Sequence, residues 1–154
     1  MAKKSAGILL YRFTNKKFEI FLVHPGGPYW KNKDTGVWTI PKGEFDDKES
    51  AIDAAKREME EETGIKLDGD FFELTPVKQK SGKWVYAFAK EYDLDISLIK
   101  SNEFEMEWPP KSGVKKMFPE IDKAGWFDIR TAKEKIIAAQ WGLVEELINR
   151  LQIT

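Results

Sequence analysis

Apolar residues near the start of the chain gather in two β-type runs, Gly7–Phe13 and Phe18–His24, joined by the polar turn Thr14-Asn15-Lys16-Lys17. The pattern then lapses. From Pro25 to Gly36 the residues are mainly Gly, Pro and Lys, which predicts a loop, and Val37–Ile40 predicts a short strand ending at Pro41. Small and apolar residues recur at helical spacing through Ala51, Ile52, Ala54, Ala55 and Met59, predicting a helix over about residues 49–62. Asp46 as N-cap with Glu49 at N3 would form a capping box, and Gly64 stands where a left-handed stop is expected. Further strands are predicted at Glu73–Gln79, at Lys83–Lys90 (alternating through Val85, Ala87 and Ala89) and at Phe104–Trp108, stopped by Pro109-Pro110. Gly125–Asp128 reads as a short strand or turn before a helix beginning near Thr131. Leu143, Val144, Leu147, Ile148 and Leu151 make the last helix, 141–151, amphipathic. Strands interleaved with a mid-chain helix and a C-terminal helix predict an α/β (α+β) sandwich, a mixed β-sheet with helices on both faces.

Composition narrows this picture. A chain of 154 residues supports one domain with a real core, spanning 1–154. With 25 basic against 26 acidic side chains, no broad field for nucleic acid or membrane is expected, and so no stable nucleic-acid partner. No apolar stretch approaches 18 residues, and Ala2-Lys3-Lys4-Ser5 leads straight into a strand-like segment, so neither a membrane span nor a leader is expected. The absence of cysteine excludes disulfides and zinc–thiolate sites and fits a cytoplasmic address. A monomer and a homodimer are both compatible with the sequence.

Candidate chemistry gathers at the end of the predicted mid-chain helix. Glu58, Glu61 and Glu62 are related as i, i+3 and i+4, so their carboxylates share one face, whereas Glu60 points to solvent. Like charges at i, i+4 cost about 0.2–0.5 kcal/mol per pair, and acids at a helix C-terminus also oppose its dipole. Arg57 offsets part of this. A hard divalent ion, Mg²⁺ with Mn²⁺ as a substitute, would turn the repulsion into coordination. The alternative is a solvated charged face.

The full run Gly43–Ile65, GEFDDKESAIDAAKREMEEETGI, decides between them. Its spacing of Gly43, Glu49, Arg57, Glu58, Glu61, Glu62 and Gly64, with apolar Met59 and Ile65, resembles the signature of the Nudix hydrolases at every constrained position. The resemblance implies an α/β/α sandwich over nearly the whole chain. It also implies metal-dependent hydrolysis of a nucleoside diphosphate linked to another group. By that resemblance Glu58, Glu61 and Glu62 are the metal cluster, with the carbonyl of Lys42 as a further ligand and Gly43 allowing close backbone approach. Glu49 and Arg57 would orient the catalytic helix, and one glutamate would serve as general base.

The family usually adds one acid from outside this run, shortly before a Trp-containing strand. Glu120, in the segment 118–126, has that placement; Glu103, Glu105 and Glu107 compete, although alternation also fits them to the solvent face of an edge strand. The entry Pro41-Lys42-Gly43 resembles members acting on diadenosine polyphosphates, with Lys42 meeting a phosphate or else standing as an ordinary solvated lysine. Lys31, Lys33, Lys111, Lys115 and Lys116 are weaker candidates for outer phosphates. Tyr29, Trp30, Trp84 and Tyr86 are candidate base-stacking rings, with the loop residues Tyr29 and Trp30 preferred and Trp38, Trp126 and Trp141 assigned to packing. His24, the only histidine, is read as a structural hydrogen-bonder. The substrate expected is a nucleotide-type small molecule, foremost a diadenosine or nucleoside polyphosphate. Nucleoside triphosphates, ADP-ribose, 5′-pyrophosphorylated RNA and a non-catalytic nucleotide-binding regulator remain as alternatives.

Overall fold

The computed structural model describes residues 3–153; Met1, Ala2 and Thr154, at the two ends of the expected 1–154 domain and the expected N-terminal entry, lie outside the described residues. Strand β1 (Lys4–Thr14) and strand β2 (Lys17–Pro25) form an antiparallel hairpin in the register Thr14 opposite Lys17. Asn15 and Lys16 turn it with φ of 52° and 65°, the positive values that match the twist of the flanking strands. A third strand, β3 (Lys42–Phe45), pairs antiparallel with the start of β1. Helix α1 (Ala51–Thr63) follows, then β4 (Phe72–Glu73), β5 (Val77–Lys78) and β6 (Trp84–Glu91). β6 lies parallel to β1 along its length, so the sheet is mixed. A separate hairpin is made of β7 (Glu103–Glu107) and β8 (Lys115–Pro119), and β9 (Ile121–Phe127) closes the sheet against β2. Helices α2 (Ile129–Lys135) and α3 (Trp141–Leu151) end the fold.

Alternation along the central strands builds the two core layers. Ala6, Ile8 and Leu10 of β1, with Phe21 and Val23 of β2, pack against Ala54, Ala55 and Met59 of α1. Leu9, Tyr11, Ile20 and Leu22 point the other way, toward Ala132 of α2 and Leu143, Val144 and Leu147 of α3. With both faces covered, β1 and β2 read as continuous apolar runs rather than alternating ones. No helix among the described residues is long and apolar enough to cross a membrane.

Five details differ from the sequence expectation. Helix α1 is capped by Ser50, whose hydroxyl accepts from the Asp53 N–H at 3.2 Å; Asp46 instead turns back on the Lys48 N–H at 2.8 Å, and Glu49 stays outside the helix. Val37–Ile40 makes only isolated bridges (Thr39 with Val23, Trp38 with Ile136), and the strand comes later, at β3. The run 73–79 is broken into β4 and β5, with Pro76, which lacks an N–H, in the break. Lys115–Pro119 forms a strand unmarked by apolar alternation. Finally, β9 begins at Ile121, not Gly125.

Candidate active site

Buried hydrogen bonds fix the approach to the acidic cluster. Thr39 exchanges backbone bonds with Val23 at 2.9 and 3.0 Å, and the Ile8 N–H donates to the Pro41 carbonyl at 3.2 Å. Gln140, fully buried, accepts from the Ile40 N–H and donates to the Thr39 hydroxyl, at 3.1 and 2.8 Å. Nothing in the sequence pattern marked Gln140. Held in this way, Lys42 and Gly43 lie over the C-terminal half of α1. The backbone of Gly43 leaves room for the carboxylate of Glu58, which is buried at 8% exposure.

The guanidinium of Arg57 organises the acids around it. Its Nη2 lies 2.6 Å from Glu49, and Nε faces both oxygens of the same carboxylate at 3.2 Å. Its Nη1 donates to Glu58 at 2.9 Å and to Glu61 at 3.2 Å. Glu49 therefore holds the arginine from before the helix, and its pairing with Arg57 explains why it is not part of a capping box. These bonds, with Glu49 first, raise the arginine pKa further. Gly64 ends the helix at φ 77°, and its N–H returns to the Glu60 carbonyl; Glu60 itself is exposed.

Glu120 joins this group from between β8 and β9. Its N–H donates to the Asn102 carbonyl at 2.8 Å, while its own carbonyl accepts from Gly26 at 2.9 Å. The N–H of Asn102 in turn donates to the Glu61 carbonyl at 3.0 Å, so one residue ties the end of α1 to the outside acid. Asn102 went unmarked in the sequence because its role is carried by backbone atoms. Glu103, Glu105 and Glu107 occupy the exposed face of β7, where Glu105 faces Lys115 at 3.5 Å and Glu107 accepts from the Lys111 N–H at 2.7 Å.

Electrostatics couples the four acids. Burial, followed by the charges of Glu58 and Glu120, pushes the Glu62 carboxyl up to about 8, with Lys42 and its backbone N–H pulling the other way. Burial and then Glu61 raise Glu58 against the pull of Arg57, and the same two causes raise Glu120. Lys42 is half-buried, and burial together with the nearby charge of Lys83 lowers its pKa. Hard oxygen donors that repel one another in a partly desolvated corner suit a hard divalent cation. Among the described residues, no three acidic or histidine side chains are gathered tightly enough to enclose a metal ion; Glu58 and Glu61 turn toward Arg57 instead.

The candidate stacking rings are spread apart. Tyr29 is exposed and meets Trp108 edge-on at 5.3 Å, whereas Trp30 lies under Lys33 at 5.2 Å. Tyr86 packs against Phe45 at 5.9 Å, and Trp84 lies beside Lys78. Trp38 is buried, and the Trp126 indole donates to the Leu94 carbonyl at 3.0 Å. His24 is fully buried between Asp122 and the Lys33 carbonyl, at 2.7 and 2.6 Å, a structural position as expected.

A family model for the NUDIX domain matches residues 1–147. The chain belongs to the NUDIX family. The rat bis(5′-nucleosyl)-tetraphosphatase [asymmetrical] is 39% identical over 120 residues, covering 67% of this chain and 76% of that protein. An RNA pyrophosphohydrolase of Bartonella henselae is 25% identical, covering 97% of this chain and 90% of the relative. Nudix hydrolase 6 of Arabidopsis thaliana is 27% identical over 97% of this chain, which spans only 42% of that longer relative. Among solved structures, a C. elegans Ap4A hydrolase binary complex superposes with a TM-score of 0.66 at 23% identity over 98% of both chains. The NUDIX domain of Shewanella oneidensis NrtR, complexed with ADP ribose, gives 0.68 at 13% identity over 98% of this chain and 89% of that one. Both likenesses bear on the Nudix fold.

Proposed function

We propose that this Nudix protein is a divalent-cation-dependent pyrophosphohydrolase, a single domain over 1–154, that cleaves a dinucleoside polyphosphate such as a diadenosine polyphosphate. The observation that carries the reading is the anchoring of the acids: Arg57 binds Glu49, Glu58 and Glu61, and the backbone of Asn102 ties the end of α1, which carries Glu61 and Glu62, to Glu120. Phosphoryl transfer needs negative charge neutralised and a water deprotonated, and a group of carboxylates can supply both metal ligands and a base. Mg²⁺ held by Glu58, Glu61, Glu62, Glu120 and the Lys42 carbonyl would supply charge neutralisation and a more acidic water. Arg57 and Glu49 hold Glu58 and Glu61 in place, and Lys42 faces the phosphate chain as a point charge.

The substrate class rests on Pro41-Lys42-Gly43 and on the likeness to the rat bis(5′-nucleosyl)-tetraphosphatase. Tyr29, Trp30 and Tyr86 are the rings assigned to its bases. A nucleotide substrate also agrees with a cytoplasmic address. The test is product analysis with Mg²⁺, then Mn²⁺, against diadenosine polyphosphates, nucleoside triphosphates, ADP-ribose and 5′-triphosphorylated RNA. Release of ATP or ADP from a diadenosine substrate well above the other rates supports the proposal. A different preferred substrate replaces the substrate and keeps the chemistry. Binding without any turnover would favour a nucleotide-sensing regulator.

A further inference from the structure

A cleft of about 590 Å³ lies between the 25–36 loop and the β7–β8 hairpin, within the range of small-molecule sites. Its apolar walls are Pro28, Trp108 and Phe118, and its basic residues are Lys31 and Lys116. Lys115, next in the chain, is paired with Glu105, while Lys31 and Lys116 are in no ion pair among the described residues. Asp122 also lines the cleft, with a partly exposed side chain.

We infer that this cleft seats one nucleoside of the substrate, its base stacked on Trp108, a donor of the base or ribose on Asp122, and the adjoining phosphates beside Lys31 and Lys116. The inference rests on the nucleotide reading above and specifies where one end of that substrate lies. Tyr29 meets Trp108 edge-on at 5.3 Å, which restrains the indole as a stacking surface. Asp122 is held through one oxygen, 2.7 Å from Nδ1 of the fully buried His24, leaving the other oxygen to accept from a ligand. The second ring nitrogen of His24 lies 2.6 Å from the Lys33 carbonyl, which can only accept, so Nε2 carries a proton there. One histidine thus secures both Asp122 and the far end of the 25–36 loop.

Position relative to the acids completes the case. Pro119 lines the cleft, and the next residue is Glu120. The cleft therefore adjoins the segment that carries the outside acid. Gly26, at the entry to the 25–36 loop, is hydrogen-bonded to the Glu120 carbonyl at 2.9 Å and fixes this junction.

The test is calorimetric titration of the whole protein, with Ca²⁺ in place of Mg²⁺, using diadenosine tetraphosphate and inorganic tripolyphosphate as separate probes. Replacing Trp108→Leu is expected to weaken diadenosine tetraphosphate by about tenfold, the scale of one lost base stack, without weakening tripolyphosphate. Equal loss for both probes, or none for either, would overturn the assignment. If Trp108→Leu does not fold, Lys116→Ala on the exposed strand β8 serves: diadenosine tetraphosphate should weaken about threefold to tenfold at low salt, and unchanged affinity would overturn the assignment. Absence of turnover by the wild type would sink the pyrophosphohydrolase proposal, whereas the difference between the two probes reports on the cleft alone.

Discussion

Gly43 and Glu58 share one small volume: a Cβ on residue 43 would stand 2.0 Å from the carboxyl carbon of Glu58 and 2.1 Å from its Oε2. The first glycine of the Nudix run therefore leaves the space that the helix glutamate occupies. The need for close approach was expected at this position; the structure adds that a carboxylate of the same cluster is what approaches. Strand β3 and helix α1 are both anchored, so the carboxylate would have to move.

Gly43→Ala is accordingly expected to expel Glu58 from its contact with Arg57 and to lower kcat by about 100-fold, the scale of a misplaced catalytic group. The fold should persist, since the displaced group lies at the edge of the core. Circular dichroism and kcat on the preferred nucleotide check this, and near-wild-type turnover would refute it.

Arg57→Lys tests the fork of hydrogen bonds. A lysine ammonium has no planar fork and cannot hold Glu49 while also serving Glu58 and Glu61. The guanidinium is 38% exposed, so the loss in stability should be modest, about 1 kcal/mol or a fall of about 2–4 °C in Tm. The effect on kcat should be larger, about tenfold or more, with little change in KM, because Glu58 and Glu61 lose orientation. A drop in Tm with kcat intact would reduce Arg57 to a purely structural role.

Much of this architecture was legible in the sequence, because the β1–β2 hairpin, helix α3 and the end of α1 are written in apolar spacing and in Gly64. What escaped was specified by distant partners. Lys42–Phe45 has no strand pattern of its own and becomes β3 by pairing with Lys4–Gly7. The helix start was misplaced because Asp46 satisfies a local N–H and Glu49 serves Arg57, leaving the cap to Ser50. Gln140, Asn102 and Trp108 gain their roles only after residues far apart in sequence are brought together.

Glu120 and Glu105 separate the two sources of an outside acid. Glu120→Gln is expected to lower kcat by at least about tenfold, and Glu105→Gln, on the exposed face of β7, to leave it within about twofold. Parallel kinetics on the two variants decide it. The reverse order would move the outside acid to β7.

The last prediction concerns pH without metal. The Glu62 carboxyl stands at about 8 in the fold against an ordinary 4.5, so across that window the folded state binds more protons than the unfolded one. Stability from this group is then fully present below pH 4.5 and lost as pH rises toward 8; Glu58 and Glu120, also raised, act in the same direction. Carboxylates with lowered values, such as Glu44 and Asp128, lose their contribution only at acid pH, below this window. The Tm of metal-free protein should therefore fall from pH 5 to pH 8. Added Mg²⁺ should restore it, more at pH 8 than at pH 6, because metal binding requires the deprotonated acids. Replacing Glu62→Gln should flatten the metal-free slope and raise Tm at pH 8 by a few degrees, about 1 kcal/mol corresponding to about 2–4 °C in a chain of this size. An equally steep slope in the variant would mean that other groups set the pH response, and that the Glu62 carboxyl is not the one the fold holds protonated.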